Sequence, residues 1–225
     1  MRRVVRTHAR CPVHPNEGGF TLVEVLVALM IMAIMAAMAW QGVAGIVRAR
    51  DASQGRLELT LRINTVLAQW EQDLGAVQET PSTPALLFDG ATLRLTRRAA
   101  GGMQVVAWAL RGAGGTSTWT RWAGPVVGGS SALQESWLRS LQFIGNEPGQ
   151  LRLLDGIEQW QLYFFRGNSW SNAQSSADVI APSPGASAVP RQALPSGVRV
   201  VLGFGAGSGL NGSLTRDVAL GPQLP

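Results

Sequence analysis

The sequence predicts an α+β protein. One long N-terminal helix, apolar enough to cross a membrane in its first half and amphipathic in its second, packs against an antiparallel β-sheet. Three observations predict it. An apolar run fills Phe20–Trp40, an apolar stripe at helical spacing continues to Val77, and beyond residue 85 short alternating segments are separated by Gly-rich breaks.

The first element is the apolar run. Its 21 residues carry one charge, Glu24, and about 20 apolar residues suffice for a helix to span a bilayer core. Four Arg (Arg2, Arg3, Arg6, Arg10) against one acid, Glu17, precede it, which places the N-terminus on the cytoplasmic side. Arg48 and Arg50 lie just past the far end, but a long following domain crosses regardless of such charges. Three processing readings compete: an uncleaved anchor, a secretory signal peptide cut at Ala37-Met38-Ala39, and a cut at the front of the run. Glu24 discriminates between them. A carboxylate inside an apolar span costs about 2.5–3.5 kcal/mol on insertion scales, and neither an anchor nor a signal peptide has a use for it.

Gly19-Phe20, with Glu24 four residues beyond Phe20 in GFTLVEVLVAL, resembles the class III signal of type IV pilins and type II secretion pseudopilins. The resemblance implies that a prepilin peptidase cuts after Gly19 on the cytoplasmic side and methylates Phe20, the first residue of a 206-residue mature chain. It also implies that Glu24 neutralises the freed α-amino group of a neighbouring subunit. A buried pair of this kind gives register more than stability. The expected organisation is a cleaved leader (1–19), a transmembrane helix half (20–47), an amphipathic periplasmic helix half (48–80) and a β-rich periplasmic domain (81–225).

Composition narrows the chemistry further. With 225 residues, 46% hydrophobic and 15% charged, the chain is neither a disordered acidic tail nor a coiled-coil rod. All 19 basic residues are Arg, and Cys11, His8 and His14 all fall within the leader. From residue 15 onward there is no Cys, His or Lys. That excludes a thiolate nucleophile, a Ser-His-Asp triad, a conventional zinc site, a Schiff-base lysine and a Walker-type lysine. Carboxylate chemistry or an oxygen-built cation site remains. The net charge of +5 falls to +2 once the leader is gone, so no basic patch for nucleic acid is expected. No cofactor is expected either.

The second element is the amphipathic helix half. Leu59, Ile63, Val66, Trp70, Leu74 and Val77 form one stripe at spacings of 3 and 4. Arg56, Arg62, Gln69 and Gln72 take other faces. No Pro interrupts Phe20 to Thr80, and Pro81 and Pro84 end the run, so a helix of some 55 residues would reach about 80 Å. Leu59, Ile63, Val66, Trp70 and Leu74 are the expected helix–sheet core, with Trp70 wedged between the layers. Glu71 and Asp73 are expected to be solvated and are not a catalytic pair, since residues two apart face different ways.

The third element is the sheet. Leu86–Phe88 and Thr92–Thr96 read as a hairpin about Asp89-Gly90. Met103–Leu110 and Thr118–Trp122 read as partners. Gln150–Leu154 leads through Asp155-Gly156 to Ile157–Phe165, and Val198–Phe204 alternates cleanly before a return strand near Ser213–Leu220. Gly124–Ser131 and Ser171–Gly197 read as loops. Ala39-Trp40-Gln41-Gly42, the helix end near Gln72-Asp73-Leu74, and Leu153-Leu154-Asp155-Gly156-Ile157 with Tyr163, Asn168, Trp170, Leu194-Pro195 and the Val198 strand are similar to the J-type minor pseudopilins of type II secretion. W-like minor pilins of type IV pili share a similar late block.

That similarity implies a pilin-like fold and a non-enzymatic subunit of the pseudopilus tip. Its implied partners are I- and K-type minor pseudopilins, the major pseudopilin, prepilin peptidase and the inner membrane. A type IV minor pilin and a signal-peptidase-released, carboxylate-dependent hydrolase are the rival readings. Other motifs carry less. Gly203–Gly209 reads as a hairpin turn rather than a dinucleotide loop, because a strand and not a helix follows. Asn168, Asn172 and Asp178 read as a polar surface loop rather than a Ca²⁺ site. Asp155 and Glu158 are explained by the turn at Gly156 rather than as paired carboxylates. Trp119 and Trp122 are expected in the core, with Trp137 open between core and partner anchor.

Overall fold

The computed structural model describes residues 19–113, 116–143, 145, 147–174, 179–180, 191–192, 194–205 and 208–221. It is an α+β protein with a long N-terminal helix and antiparallel sheets, a layout consistent with a pilin-like fold. Helix α1 runs over Leu22–Gly75, 54 residues. The chain divides into two units at Gln54/Gly55. In the first, the side chains of α1 are almost all exposed. The second contains the rest of α1 and all the strands.

The helix ends at Gly75, before the Thr80 boundary expected from the prolines. Beyond it the backbone finds partners on a strand instead of a further turn. Val77 bridges Arg97, the Gln78 N–H donates to the Thr96 carbonyl at 2.9 Å, and the Arg98 N–H donates to the Ala76 carbonyl at 2.8 Å.

Strands β1 (Leu86–Phe88), β2 (Thr92–Ala99), β3 (Gly102–Ala113), β4 (Thr116–Ala123) and β5 (Gln150–Asp155) form one antiparallel sheet in chain order. Helix α2 (Ser130–Leu141) intervenes between β4 and β5. Strands β6 (Ile157–Arg166), β7 (Ser169–Asn172), β10 (Gly197–Phe204) and β11 (Gly212–Ala219) form a second antiparallel sheet ordered β11-β10-β6-β7. Between them in the chain, β8 (Val179–Ile180) pairs with β9 (Arg191–Gln192). Strands β10 and β11 pair antiparallel, so a strand and not a helix follows the Gly203–Gly209 stretch, of which residues 206 and 207 lie outside the described residues.

Two sheets rather than one follow from what Asp155-Gly156 does. It is not a hairpin turn: β5 pairs with β4, whereas β6 pairs with β10 and β7. The chain changes sheets at Gly156, whose φ is +75° and where a Cβ would lie 2.7 Å from the Ser208 side chain. Only glycine suits that backbone and that approach. Helix α2 is also new relative to the sequence reading. Leu133, Ser136, Trp137 and Ser140, at i, i+3, i+4 and i+7, are buried on one face. They cover the side of the first sheet away from α1 through Val105, Ala107 and Trp122. Trp137 is thus core.

The main core lies between α1 and both sheets. Ile63, Val66, Trp70 and Leu74 are buried and Leu59 is half-buried. Trp70 meets Trp108 edge-on (5.2 Å between centroids, 87°) and Trp119 at 5.4 Å, while Trp108 and Trp119 lie 4.6 Å apart. Leu162, Val198, Val200 and Leu202 continue this core onto the second sheet.

Asp73 does not face solvent as expected: its side chain is fully buried. Its Oδ1 accepts from Arg97 Nη1 (2.8 Å), Arg121 Nη2 (2.9 Å) and Gln69 Nε2 (3.0 Å). Its Oδ2 accepts from Arg121 Nε (2.7 Å) and Trp108 Nε1 (2.8 Å). The last turn of α1 is therefore tied to β2, β3 and β4 at one point. Glu71 stays at the surface and pairs with Arg216 on β11. Arg62 donates to the Leu153 carbonyl at 2.7 Å and lies 3.6 Å from Asp155.

Removing one partner of a buried charge pair strands the other. Asp73→Asn is expected to destabilise the full chain by about 3–5 kcal/mol, against under about 1 kcal/mol for Glu71→Gln in its exposed pair. Near-UV circular dichroism during urea unfolding in detergent measures both. Equal, small losses would remove Asp73 from its place as the anchor point.

Candidate processing and assembly site

The residues singled out at the N-terminus fall where the extended chain enters α1. Gly19 and Phe20 lie ahead of the helix in exposed, non-helical backbone. A peptide bond there is open to a protease, whereas one inside the helix would first have to be unwound. Thr21 precedes the first helical residue, and Glu24 lies in the first turn.

These two residues bond reciprocally. The Thr21 N–H and Oγ1 both donate to Glu24 Oε2, at 3.1 and 3.0 Å, and the Glu24 N–H donates back to Thr21 Oγ1 at 3.3 Å. The Glu24 and Val25 N–H groups also reach the Thr21 carbonyl, at 3.1 and 3.3 Å. This is a capping box: each side chain satisfies a backbone donor that the helix start would leave without a partner. The helix dipole adds attraction for the negative charge there. Both side-chain and backbone bonds fall on Oε2, so Oε1 has no partner among the described residues. Thr21 falls at the spacing the motif expects, but its capping role was not read from sequence, although Thr-x-x-Glu ahead of an apolar run is a readable signal.

Around this start the helix surface is apolar on every side. Leu22, Val25, Leu29, Met32, Met35 and Met38 are all exposed, and Trp40 is 75% exposed. A soluble monomer rarely leaves so large a contiguous apolar patch uncovered. By length and composition α1 is a candidate membrane span. The cut after Gly19 would also leave a chemically singular terminus. The chain has no Lys, so the α-amino group of Phe20 would be the one amine of the mature chain.

The other candidate groups are engaged locally. Asp155 accepts from Thr118 Oγ1 (2.7 Å) and Arg152 Nη2 (3.1 Å). Those hydrogen bonds, Thr118 first, hold its carboxyl below the usual range. Glu158 is exposed and does not join it. Asn168 occupies the β6–β7 turn at φ 70°, Asn172 Oδ1 accepts from the Gln174 N–H at 2.9 Å, and Asp178 lies outside the described residues. Trp119 and Trp122 are both core.

Residues 14–40 match the prokaryotic N-terminal methylation motif. Compared with curated proteins, the chain finds no match. The motif spans the apolar run, Gly19-Phe20 and the Thr21–Glu24 box, and it supports a type IV pilin-like protein, pilin or pseudopilin. The motif implies prepilin-peptidase processing and pilus-like assembly with other pilins, and α1 is a candidate membrane anchor; the motif family is structural rather than enzymatic.

The capping box is testable separately from processing. Thr21→Val loses the hydroxyl that both gives to and receives from Glu24. The loss of a cap costs about 1 kcal/mol, so the Glu24 amide should exchange with deuterium about fivefold faster, and Thr21→Ser should restore it. An unchanged rate in Thr21→Val would show that Glu24 does not depend on Thr21.

Proposed function

We propose that the chain is a minor pseudopilin of the J type, a non-enzymatic subunit of the type II secretion pseudopilus. In this reading prepilin peptidase cuts between Gly19 and Phe20 and methylates Phe20. The span Phe20–Trp40 sits once in the inner membrane, with the N-terminus cytoplasmic and the β-rich domain periplasmic. The protein joins I- and K-type minor pseudopilins at the tip, above the major pseudopilin, where it initiates assembly and supports export of folded proteins. Nucleic acid and cofactors have no part in it.

The observation that carries the reading is Glu24: a carboxylate on an apolar helix whose only partner among the described residues is the neighbouring Thr21. An assembly in which each subunit brings one freed amine into apolar surroundings supplies the missing counter-charge. In such surroundings an ion pair is worth far more than in water, but only when both partners are present. Support for the J type comes from the late block. Leu154 and Ile157 are core, Gly156 makes the change of sheets, and the Val198 strand is central in the second sheet. The methylation motif supports a type IV minor pilin equally, so partner identity must separate the two.

Glu24→Leu removes the charge without shortening the apolar run. The variant is expected to be processed at near wild-type level yet to lose most co-purification with other pseudopilins and most secretion. Quantitative mass spectrometry of affinity-purified membrane complexes reads both. Wild-type secretion in the variant would overturn the assembly role of Glu24. Co-purification with pilus rather than secretion subunits would move the protein to the type IV pilus.

A further inference from the structure

Sheet ends offer unpaired backbone groups, and among the described residues three of the four ends of the two larger sheets are blunted. Strand β1 has three residues and β7 has four. Strand β5 has its Leu153 carbonyl occupied by Arg62 Nε, and its pairing with β4 is broken by a register shift between Trp119 and Thr120. Strand β11 is the exception. It has eight residues, GSLTRDVA, paired with β10 in unbroken register from Gly212↔Phe204 to Ala219↔Gly197. It contains no Pro and no bulge, and among the described residues no strand lies on its other side.

The register identifies which groups face outward. The Leu220 N–H donates to the Ser196 carbonyl at 2.9 Å. In an antiparallel ladder this makes Gly197↔Ala219 a non-hydrogen-bonded pair and Val198↔Val218 a hydrogen-bonded one. Leu214, Arg216 and Val218 therefore direct their N–H and C=O groups to β10. Ser213, Thr215, Asp217 and Ala219 direct theirs to the open edge, and all four residues are exposed.

Charge does not guard this edge. Arg216 is paired with Glu71, and Asp217 accepts from Arg199 Nε and Nη2, both at 2.6 Å. The other side chains are Ser, Thr, Ala, Leu, Val and Gly. What fits such an edge is determined by its backbone: an extended, uncharged segment whose own N–H and C=O groups alternate in step with it.

We propose that the open edge of β11 receives an extended segment of a neighbouring subunit, which joins the second sheet as a fifth strand. This rests on the reading of the chain as a pilin-like subunit, since that reading supplies the neighbour. Eight residues at about 3.3 Å each give an edge of about 26 Å, long enough for the four outward residues to exchange hydrogen bonds with one such strand.

Residue-resolved deuterium exchange on the full chain tests it, comparing membranes of the producing cell with the detergent-solubilised single chain. In membranes the amides of Ser213, Thr215, Asp217 and Ala219 should exchange at least about tenfold more slowly, whereas Leu214, Arg216 and Val218 are protected in both states. Thr215→Pro removes one outward N–H and no bond to β10, which edge strands tolerate. It should abolish the added protection at Ser213, Asp217 and Ala219 while the inward amides stay slow, and Thr215→Ala should leave it intact. Equal exchange of the outward amides in both states, in a chain with methylated Phe20, would overturn the proposal and leave the pilin-like reading standing. Added protection that persists in Glu24→Leu or in an unprocessed chain would overturn the neighbouring subunit as the occupant.

Discussion

The carboxylate of Asp73 is the point on which the second unit depends. Five donors converge on it, from Gln69 on its own helix and from Arg97, Trp108 and Arg121 on three successive strands. Apolar packing alone does not fix where a striped helix stops along a sheet, because leucines and valines tolerate a shift that keeps them covered. A buried charge does not tolerate it, since a displaced Asp73 would leave two guanidinium groups facing apolar surroundings. Desolvation takes back much of what the ion pairs contribute, so the gain is chiefly a single allowed position for α1. The same point explains the end of the helix: with Asp73 held, Val77 and Gln78 are already alongside β2.

A second carboxylate on the same helix shows the opposite arrangement. Asp73 is partnered on both carboxylate oxygens within the folded chain, whereas among the described residues Glu24 has only Thr21, one turn away and exposed. One acid is committed to the fold of a single chain. The other is left with bonding capacity at the end of a helix that is apolar on every side. That contrast separates a group whose bonding capacity is used across the sheet from one bonded only to its own helix start, and the methylation motif covers Glu24 but not Asp73.

The sequence made much of this legible, and the limits were physical. The stripe from Ile63 to Leu74 was readable because helical periodicity is local, and the methylation motif around Gly19, Phe20 and Glu24 because it is a spacing along one segment. Asp73 stands beside Leu74 and three residues after Trp70, on the buried face by periodicity. Its chemical type argued for solvent, and its answering cations lie 24 and 48 residues further on. The division into two sheets was hidden for a related reason: Asp-Gly is a turn signal, and only the pairing of β5 with β4 and of β6 with β10 shows that the chain changes sheets there. Helix α2 was obscured by the Gly/Ser-rich stretch at its start and by two serines on its buried face.

The most direct measurement is the intact mass and terminal sequence of the protein recovered from membranes. The account predicts a chain that begins at Phe20, carries one added methyl group on its α-nitrogen, and has lost Cys11 and both histidines with the leader. A chain starting at Trp40, released from its apolar helix, or one still bearing Gly19, would contradict it.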